Sequence, residues 1–567
     1  MLEQRIGAHF ARLMMKLMGE EARTNTNAYQ FAPEERPIFA GSPFSPPHPG
    51  WRRAAYVGVA LVTGISSTFG NALVTVNVGT ISGSLGLYVA QASWLPAIYV
   101  AMNASANLTL VKARAQFGIP AVTCGLLIGY AATDLLQFAF PGLASALLMR
   151  AVNGMAAAGL VTLTVYYLIQ AFPLKLRPLA AVIGIGLPQL GTPLARLVPV
   201  ELLAADSWRG LHLIELAVAL GVLALVLAFP LPPTERSRAF QPLDLLTIGL
   251  IMPAMLLLCG VLGLGRVVWW TDAPWLGWAL AAAVPLFALA ALVEMRRAHP
   301  LIQFGWLSSI DILRFGAIAL LVRLALAEQT YGAVGLLTSG GLTNDQLRTL
   351  FTIVAVAMLA GILAAALTLS QRRLPWQVMV ATLAIALGAW IDTDATNLTR
   401  PPQLYLSQAL LGFGTTLFIG PALVYGLLRM FSRGADSLVS FVVLFSVTQN
   451  VGGLLGSAVL GTYQVIQARW HALALSEHLL ASDPGIIDRL RIGAGAIAGV
   501  VADPIQRSAE GASLLARAVT QEANVLAYSD VFRVVSILAL MSALYIAYLL
   551  LVRALRGRPQ VALESRT

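Results

Sequence analysis

Five ionisable residues lie inside long apolar runs of this sequence, where their types and positions could support chemistry. They are Asp134, Arg150, Glu215, Arg323 and Glu328. A charged side chain in hydrocarbon costs about 2.5–3.5 kcal/mol on insertion scales, so each of them needs a function or a partner. A carboxylate in such a place can carry a proton, and an arginine stays protonated and tunes a nearby carboxylate. The five residues are therefore predicted to serve proton coupling or transport.

Structural interpretations of three of these residues stay open. Arg150 would alternatively satisfy polar backbone groups at the outer end of its helix. Glu215 would be an interfacial carboxylate hydrogen-bonded to Arg209 or His212. Asp134, near the end of its apolar run, is more typical of an interfacial residue than of a functional one.

Arg323 and Glu328 need a separate explanation, because residues five apart point in different directions on a helix and do not form an i,i+4 pair. Each is expected to have a partner on another helix. Glu328 and the adjacent Gln329 would either line a cavity or belong to a buried structural pair.

Amide side chains provide candidates for a substrate route. Asn103 and Asn107 are one helical turn apart and share a face near the middle of their run. Interhelical hydrogen bonding and lining of the route are both open interpretations. Asn153, Gln449 and Asn450 are further candidates for the substrate route.

Motifs for enzyme chemistry are missing from the sequence. It contains neither a G-x-x-x-x-G-K-[ST] phosphate cradle nor an H-E-x-x-H zinc motif. Cys124 and Cys259 lie in apolar runs and predict neither a disulfide nor a metal site. We therefore expect a protein that is not an enzyme and that needs neither a cofactor nor a metal.

Composition indicates which elements position these residues. The chain has 567 residues, of which 58% are hydrophobic and 11% charged, with a mean hydropathy of +0.76. A soluble domain carries about 25% charged residues. Because hydrocarbon cannot hydrogen-bond a backbone, apolar runs of about 20 residues without strict alternation must be helices. The expected fold class is an all-α polytopic membrane protein in a lipid bilayer.

Fourteen apolar segments are expected to cross the membrane. They cover residues 54–78, 89–111, 117–138, 142–171, 179–203, 211–230, 244–265, 275–294, 314–335, 347–369, 377–392, 403–428, 438–462 and 532–552. Asn103 and Asn107 lower the hydropathy of the second segment, and the eleventh segment is short for a membrane crossing.

Charge in the loops predicts the orientation. Every second loop is basic, and the loops between them carry acidic residues and few arginines. The basic positions are Lys112, Arg114, Lys175, Arg177, Arg236, Arg238, Arg296, Arg297, Arg372, Arg373, Arg429, Arg433, Arg553, Arg556 and Arg558, and the acidic ones are Asp206, Asp272, Asp345, Asp392 and Asp394. The positive-inside rule then places both termini in the cytoplasm, which requires an even number of spans. The net charge of +10 follows this topology and predicts no nucleic-acid partner.

Three polar regions flank or interrupt the spans. Residues 1–53 form a cytoplasmic segment, with an amphipathic pattern over 1–24 and a proline-rich linker after it, and residues 553–567 form a cytoplasmic tail. Residues 464–530 form a long outward loop, in which Asp483 and Asp503, each followed by proline, predict the starts of short amphipathic helices. That loop would be either a lid or a surface for partner docking.

Several motifs, in order along residues 54–552, resemble those of one transporter family. Residues 149–159 resemble R-x-x-Q-G-x-x-A-A, with Arg150 and Gly154 matching and Asn153 replacing the glutamine. Further matches are Ser207-Trp208-Arg209, Glu294 with His299-Pro300-Leu301, Gln449-Asn450 with Gly452, Gly453 and Gly456, and Gln521–Phe532. Together these residues resemble the fourteen-span drug:proton antiporters of the EmrB/QacA type in the major facilitator superfamily.

The resemblance implies a fold and a function. Six-helix bundles would occupy 54–230 and 314–552, with two extra spans at 244–294 between them. Amphipathic organic compounds would bind at the midplane and be exported across the bacterial inner membrane by alternating access driven by protons. In Gram-negative members such a pump often joins a periplasmic adaptor and an outer-membrane channel. Uptake, or a receptor or scaffold that transports nothing, are the alternatives.

The sequence also departs from the family pattern. The loop over residues 111–120 retains only Gly118 and a displaced positive charge of a gate-locking motif. The first span lacks its usual aspartate near Asn71, and the fifth-span motif is reduced to Gly191 and Pro193. The usual proton carrier therefore cannot be transferred to this chain. The arginines at 150, 196 and 323 favour neutral or anionic substrates, such as aromatic or fatty acids, over lipophilic cations.

Overall fold

The computed structural model describes residue 35 and residues 41–203, 209–431, 437–480 and 482–555, apart from the side chains of Thr330 and Arg553. The amphipathic pattern over 1–24, most of the proline-rich linker, Trp208 and residues 556–567 of the tail lie outside the described residues. Apart from one bridge between Pro43 and Thr234, the described residues form helices and the turns between them.

Within the described ranges, fourteen helical stretches correspond to the predicted segments, and they are called spans 1 to 14. In chain order they are Gly50–Val76, Trp94–Phe117, Ile119–Ala139, Leu143–Ala171, Leu174–Ala195, Arg209–Ala228, Pro242–Leu264, Pro274–Met295, then Ile310–Ala325 with Ala327–Ser339 as span 9, Arg348–Leu367, Leu374–Ile391, Tyr405–Phe431, Leu438–Glu477 and Pro504–Leu555.

Twelve helices of the described chain are long and apolar enough to cross a membrane, so the protein is a multi-pass membrane protein. The other two stretches are spans 2 and 9. Span 2 contains Asn103, Asn107, Lys112 and Arg114, which lower its hydropathy. Span 9 is divided at Leu326 into two pieces, each shorter than a bilayer crossing. The prediction of helices at these two places is confirmed, but the break in span 9 was not predicted.

Contacts divide the chain into two compact units. The first comprises Met1–Ala319, Ile362–Leu374 and Ile419–Val451, and the second comprises Leu320–Gly361, Pro375–Phe418 and Gly452–Thr567. The boundaries of the two predicted bundles stay a prediction.

In the first unit, small residues let spans approach closely. A Cβ on Gly154 of span 4 would lie 2.5 Å from the carbonyl oxygen of Tyr99 on span 2. A Cβ on Gly191 of span 5 would lie 2.9 Å from the backbone nitrogen of Phe69 on span 1. Pro193 is buried in the short helix Gly191–Ala195 that ends span 5. These motif residues therefore have steric roles in packing spans 1, 2, 4 and 5.

Spans 7 and 8 are joined to span 2 by apolar contact and by ion pairs. Leu108 packs with Ile251 and Ala290. At the end of span 2, the Lys112 ammonium lies 2.6 Å from an oxygen of Asp244, the first acidic residue of span 7. Gly118, with a φ of +87°, then reverses the chain into span 3.

The same ion-pair group extends to the end of span 8. The Arg297 guanidinium lies 2.7 Å from Asp244 and 2.6 Å from Glu294, both buried. Burial opposes the charge of Arg297, but its hydrogen bonds to Asp244 and Glu294 raise its pKa above the usual value. Asp244 and Glu294, with Lys112 and Arg297, thus form one ion-pair network at the ends of spans 2, 7 and 8.

In the second unit, the region 464–530 is mostly helical. Span 13 continues as one helix to Glu477, and a separate helix runs from Pro484 to Ala496. Asp483 and Asp503 each accept a hydrogen bond from the backbone nitrogen two residues later, which confirms both predicted helix starts. However, the second predicted short helix is not separate. It is the beginning of the 52-residue helix that contains span 14, because no proline follows Pro504 there to end it.

Candidate functional site

The amino-terminal centre is a group of four side chains, the buried Asp134, Arg150 and Glu215 and the partly exposed His212, within the first unit. Arg150 of span 4 is 2% exposed, and its Nη2 donates a hydrogen bond to Glu215 Oε1 at 2.6 Å. His212 Nδ1 lies 3.8 Å from Glu215 Oε2 and 3.9 Å from Asp134 Oδ1. Three residues that the sequence nominated separately are therefore in one place, and His212 joins them.

Helix periodicity and one glycine position these groups. His212 and Glu215 are separated by three residues on span 6 and therefore share a face. On span 1, a Cβ at Gly70 would lie 2.9 Å from both Glu215 Oε1 and Tyr130 Oη. The absence of a side chain at Gly70 leaves the space that Glu215 fills.

Several polar atoms of this centre are buried without a hydrogen-bond partner. They are both carboxylate oxygens of Asp134, Oε2 of Glu215, Nδ1 of His212 and both amide atoms of the nearby Gln137. Asp134 is 1% exposed and therefore covered by neighbouring helices, and its depth in the membrane stays a prediction. Buried polar atoms normally have partners, and a group of open ones indicates a place where a small ligand or proton is held.

The carboxyl-terminal centre consists of Glu328, Asp392 and Gln408, within the second unit. Gln408 Nε2 donates a hydrogen bond to Asp392 Oδ2 at 2.9 Å and another to Glu328 Oε1 at 3.2 Å. The exposed fractions of Glu328, Asp392 and Gln408 are 0%, 2% and 2%. Among the described residues, no lysine, arginine or histidine forms an ion pair with either carboxylate.

The break in span 9 is what places Glu328. Ala325 ends the first piece and Ala327 starts the second, so Glu328 lies in the first turn of a new helix. Asp392 directly follows the end of span 11, and Gln408 lies in the first turn of span 12. Gln329 also donates a hydrogen bond to the backbone oxygen of Gln408 at 3.3 Å. Three helix ends therefore converge on the carboxylate pair.

Solved structures with a similar fold are transporters. A bacterial homologue of the human drug peptide transporters matches with a TM-score of 0.52 at 12% identity, over 89% of this chain and 99% of that one. The fold is that of the major facilitator superfamily. Two weaker likenesses are a nucleoside transporter (TM-score 0.49, 12% identity, 88% and 99% covered) and a major facilitator proton:xylose symporter (0.47, 13%, 88% and 96%). No family model and no curated protein matches the sequence.

On this facilitator fold, Arg323 lies apart from Glu328. A Cβ on Gly453 would lie 3.1 Å from Arg323 Nη2, and one on Gly452 would lie 3.2 Å from Arg323 Cγ. The two glycines of span 13 thus make room for the arginine side chain. Arg323 and Glu328 contact different helices, as their five-residue spacing predicts.

The predicted amides have different positions. Asn153 is 5% exposed and close to Gly70, so it borders the amino-terminal centre, whereas Asn103 and Asn107 are buried within span 2. Asn450 donates a hydrogen bond to Ser446 one turn earlier on its own helix. Gln449 is half-buried on the same helix. Neither amide of span 13 belongs to one of the two centres, and a place on the substrate route stays a prediction for all of them.

Arg209, the described residue of the S-W-R motif, does not hold Glu215. Its guanidinium carbon lies 5.6 Å from the ring centre of Phe138, and Arg150 is the residue hydrogen-bonded to Glu215. Sequence reasoning also missed Asp392 and Gln408 as site residues. Gln408 is polar within the predicted apolar segment 403–428, and that signal could have identified it.

Proposed function

We propose that this protein is a proton-coupled secondary transporter that exports amphipathic organic compounds across the bacterial inner membrane by alternating access. The observation that carries the proposal is the pair Glu328 and Asp392, buried on a facilitator fold and sharing one amide nitrogen. Transporters of this kind use intramembrane carboxylates to couple proton movement to a change of state.

The carboxyl-terminal centre has the features of a proton carrier. Glu328 Oε2 and Asp392 Oδ1 have no hydrogen-bond partner, and among the described residues no cation offsets the two charges. Two uncompensated carboxylates at these exposures are costly in a low-dielectric environment. A proton on one of them removes a charge and provides a donor for an open oxygen. Release of that proton requires hydration of the pair, which a change of access would supply.

The amino-terminal centre is expected to behave differently, because Arg150 compensates Glu215 and leaves one uncompensated acid, Asp134, in place of two. This ion pair holds spans 4 and 6 together in the presence or absence of a proton. Arg196 and Arg323 add positive charge, which favours neutral or anionic substrates. Aromatic or fatty acids are the substrate class that we propose.

Export and the partner proteins are inferred from the family resemblance. An adaptor would be expected to contact the helix Pro484–Ala496, on which Ile487 and Ile492 are 49% and 70% exposed. The same helix would serve equally as a lid.

Accumulation of a compound panel in cells, with and without an uncoupler, tests the function. Wild type should expel anionic or neutral aromatic compounds in an uncoupler-sensitive way, and Glu328→Gln should not. Asp488→Asn is the matched control, because Asp488 is 61% exposed in the helix Pro484–Ala496. Export confined to lipophilic cations would refute the proposed substrate class, and uncoupler-sensitive uptake would establish an importer. Failure to transport any compound would favour the alternative of a receptor or scaffold that transports nothing.

A further inference from the structure

We propose that the amino-terminal centre binds one divalent transition-metal ion through Asp134, His212 and Glu215. The sequence predicted no metal site here. The three donor residues lie on two helices, and their spacing matches no metal-binding motif. This proposal concerns a different centre from the one assigned to the proton, and it does not depend on the direction or substrate of transport.

The geometry suits a compact site. One ligand atom from each of the three residues lies within 4.8 Å of the others. His212 Nδ1 is 3.9 Å from Asp134 Oδ1 and 3.8 Å from Glu215 Oε2. Metal–ligand bonds of about 2.1 Å in a tetrahedral site separate the ligand atoms by roughly 3.4 Å. The two His212 distances exceed this separation by about half an ångström, and the ligand atoms of Asp134 and Glu215 would have to approach by at most about 1.4 Å, which side-chain rotation can supply.

The ligand atoms are the same atoms that lack hydrogen-bond partners. Asp134 Oδ1, His212 Nδ1 and Glu215 Oε2 are all buried and open. Gln137 provides an independent observation, since it is 1% exposed, both of its amide atoms are open, and it lines the same cavity as His212 and Arg150. Its Oε1 is available as a fourth ligand. An ion would satisfy the open ligand atoms of Asp134, His212 and Glu215 at once.

The donor chemistry and the charges define the ion. One imidazole nitrogen with carboxylate oxygens favours Zn²⁺, Co²⁺ or Ni²⁺ over Ca²⁺ and Mg²⁺, which prefer oxygen alone, and over Cu⁺, which prefers sulfur. Arg150 binds only Oε1 of Glu215, so Oε2 stays free for the metal. The His212 side chain is 15% exposed and offers a way in for the ion.

A second histidine–carboxylate pair supplies the matched control. His471 Nε2 lies 2.7 Å from Asp530 Oδ2, so this nitrogen already has a partner. Arg533 also lies 3.1 Å from the other oxygen of Asp530. With a single carboxylate and both of its oxygens engaged, this pair should not hold a metal ion.

Titration of the purified full-length protein with Co²⁺, prepared through a tag without histidine, tests the proposal. The visible absorption of the bound ion reports its coordination, and Zn²⁺ competition reports affinity. Wild type and His471→Gln should bind one equivalent. His212→Gln and Asp134→Asn should each weaken binding by about tenfold or more. Size-exclusion chromatography of each variant establishes that it is folded.

Arg150→Gln adds a test in which the affinity for Co²⁺ should rise and not fall. Removal of a fixed positive charge beside the site should tighten Co²⁺ binding, whereas a merely structural disturbance would weaken it. Absence of binding in wild type, or equal binding by His212→Gln, would overturn the proposal. The titration uses neither substrate nor gradient, so its failure would leave the proposed transport function intact.

Discussion

The two buried centres contain similar acids in different electrostatic settings. In the amino-terminal centre, Glu215 is held by Arg150, and His212 lies within 4 Å of both acids. In the carboxyl-terminal centre, Glu328 and Asp392 share only the neutral amide of Gln408. A carboxylate with a fixed cation is stable while charged, and a pair without one is stabilised by a proton. The comparison shows that burial alone does not identify a proton carrier. A carboxylate becomes a candidate when it is buried and no neighbouring cation compensates its charge.

The largest effect should come from removal of the fixed cation. Arg150→Met leaves Glu215 buried and uncompensated, and loss of one partner of a buried ion pair costs about 3–5 kcal/mol. Thermal unfolding in detergent measures the loss. The double variant Arg150→Met with Glu215→Gln should recover part of it, because no uncompensated charge remains. Equal losses in the single and double variants would show that the two centres do not differ in this way.

A smaller loss is expected from filling the space beside Glu215. In Gly70→Ala, the new methyl group would lie 2.9 Å from Glu215 Oε1 and Tyr130 Oη, so the carboxylate must move. Overpacking of this kind costs about 1–3 kcal/mol. Gly58→Ala on the same helix is the control, since no atom lies within 4 Å of its Cβ position. If both variants unfold at the same temperature, Gly70 does not make room for Glu215.

Much of the amino-terminal centre could be predicted from sequence, because Arg150 and Glu215 are charges in apolar runs and each needs an explanation. Their pairing could not be predicted, since it depends on which helices are neighbours. His212 was named only as a possible hydrogen-bond partner of Glu215, and its position beside Asp134 could not be predicted. The burial of Asp134 near the end of its span could not be predicted, because it depends on which helices lie beside that end.

The carboxyl-terminal centre was harder to predict. Glu328 was nominated, but Asp392 has the sequence features of an ordinary loop acid between two spans. Its burial results from the convergence of three helix ends, one of them created by the break in span 9. No proline or glycine marks that break near Leu326, so local sequence contains no signal for it. The all-helical fold class and twelve of the fourteen helical stretches, by contrast, follow from length and hydropathy.

A further prediction concerns the ion-pair network at the ends of spans 2, 7 and 8. Lys112→Met should lower the free energy of unfolding by about 1 kcal/mol, because the Lys112 side chain is 17% exposed and Asp244 keeps its ion pair with Arg297. Arg297→Met should cost more, since it leaves both Asp244 and Glu294 without that guanidinium. The unfolding temperature of Arg297→Met should therefore be lower than that of Lys112→Met. A lower temperature for Lys112→Met would contradict the central position of Arg297 in the network.

The smallest change in stability is expected for Glu328→Gln. The amide imitates the protonated acid, so the unfolding temperature should equal or exceed that of the wild type. Glu215→Gln should instead be destabilised, because it leaves the buried guanidinium of Arg150 without its charged partner. A marked loss for Glu328→Gln would indicate that the carboxyl-terminal pair is stable while charged.

Transport by proteoliposomes containing Glu328→Gln tests most directly whether the uncompensated pair carries the proton. Substrate exchange across the membrane without a gradient needs no net proton movement, whereas accumulation against a gradient does. We predict that Glu328→Gln retains exchange and loses gradient-driven accumulation, while Asp488→Asn retains both. Gradient-driven accumulation by Glu328→Gln at the wild-type level would contradict the assignment of the proton to this centre.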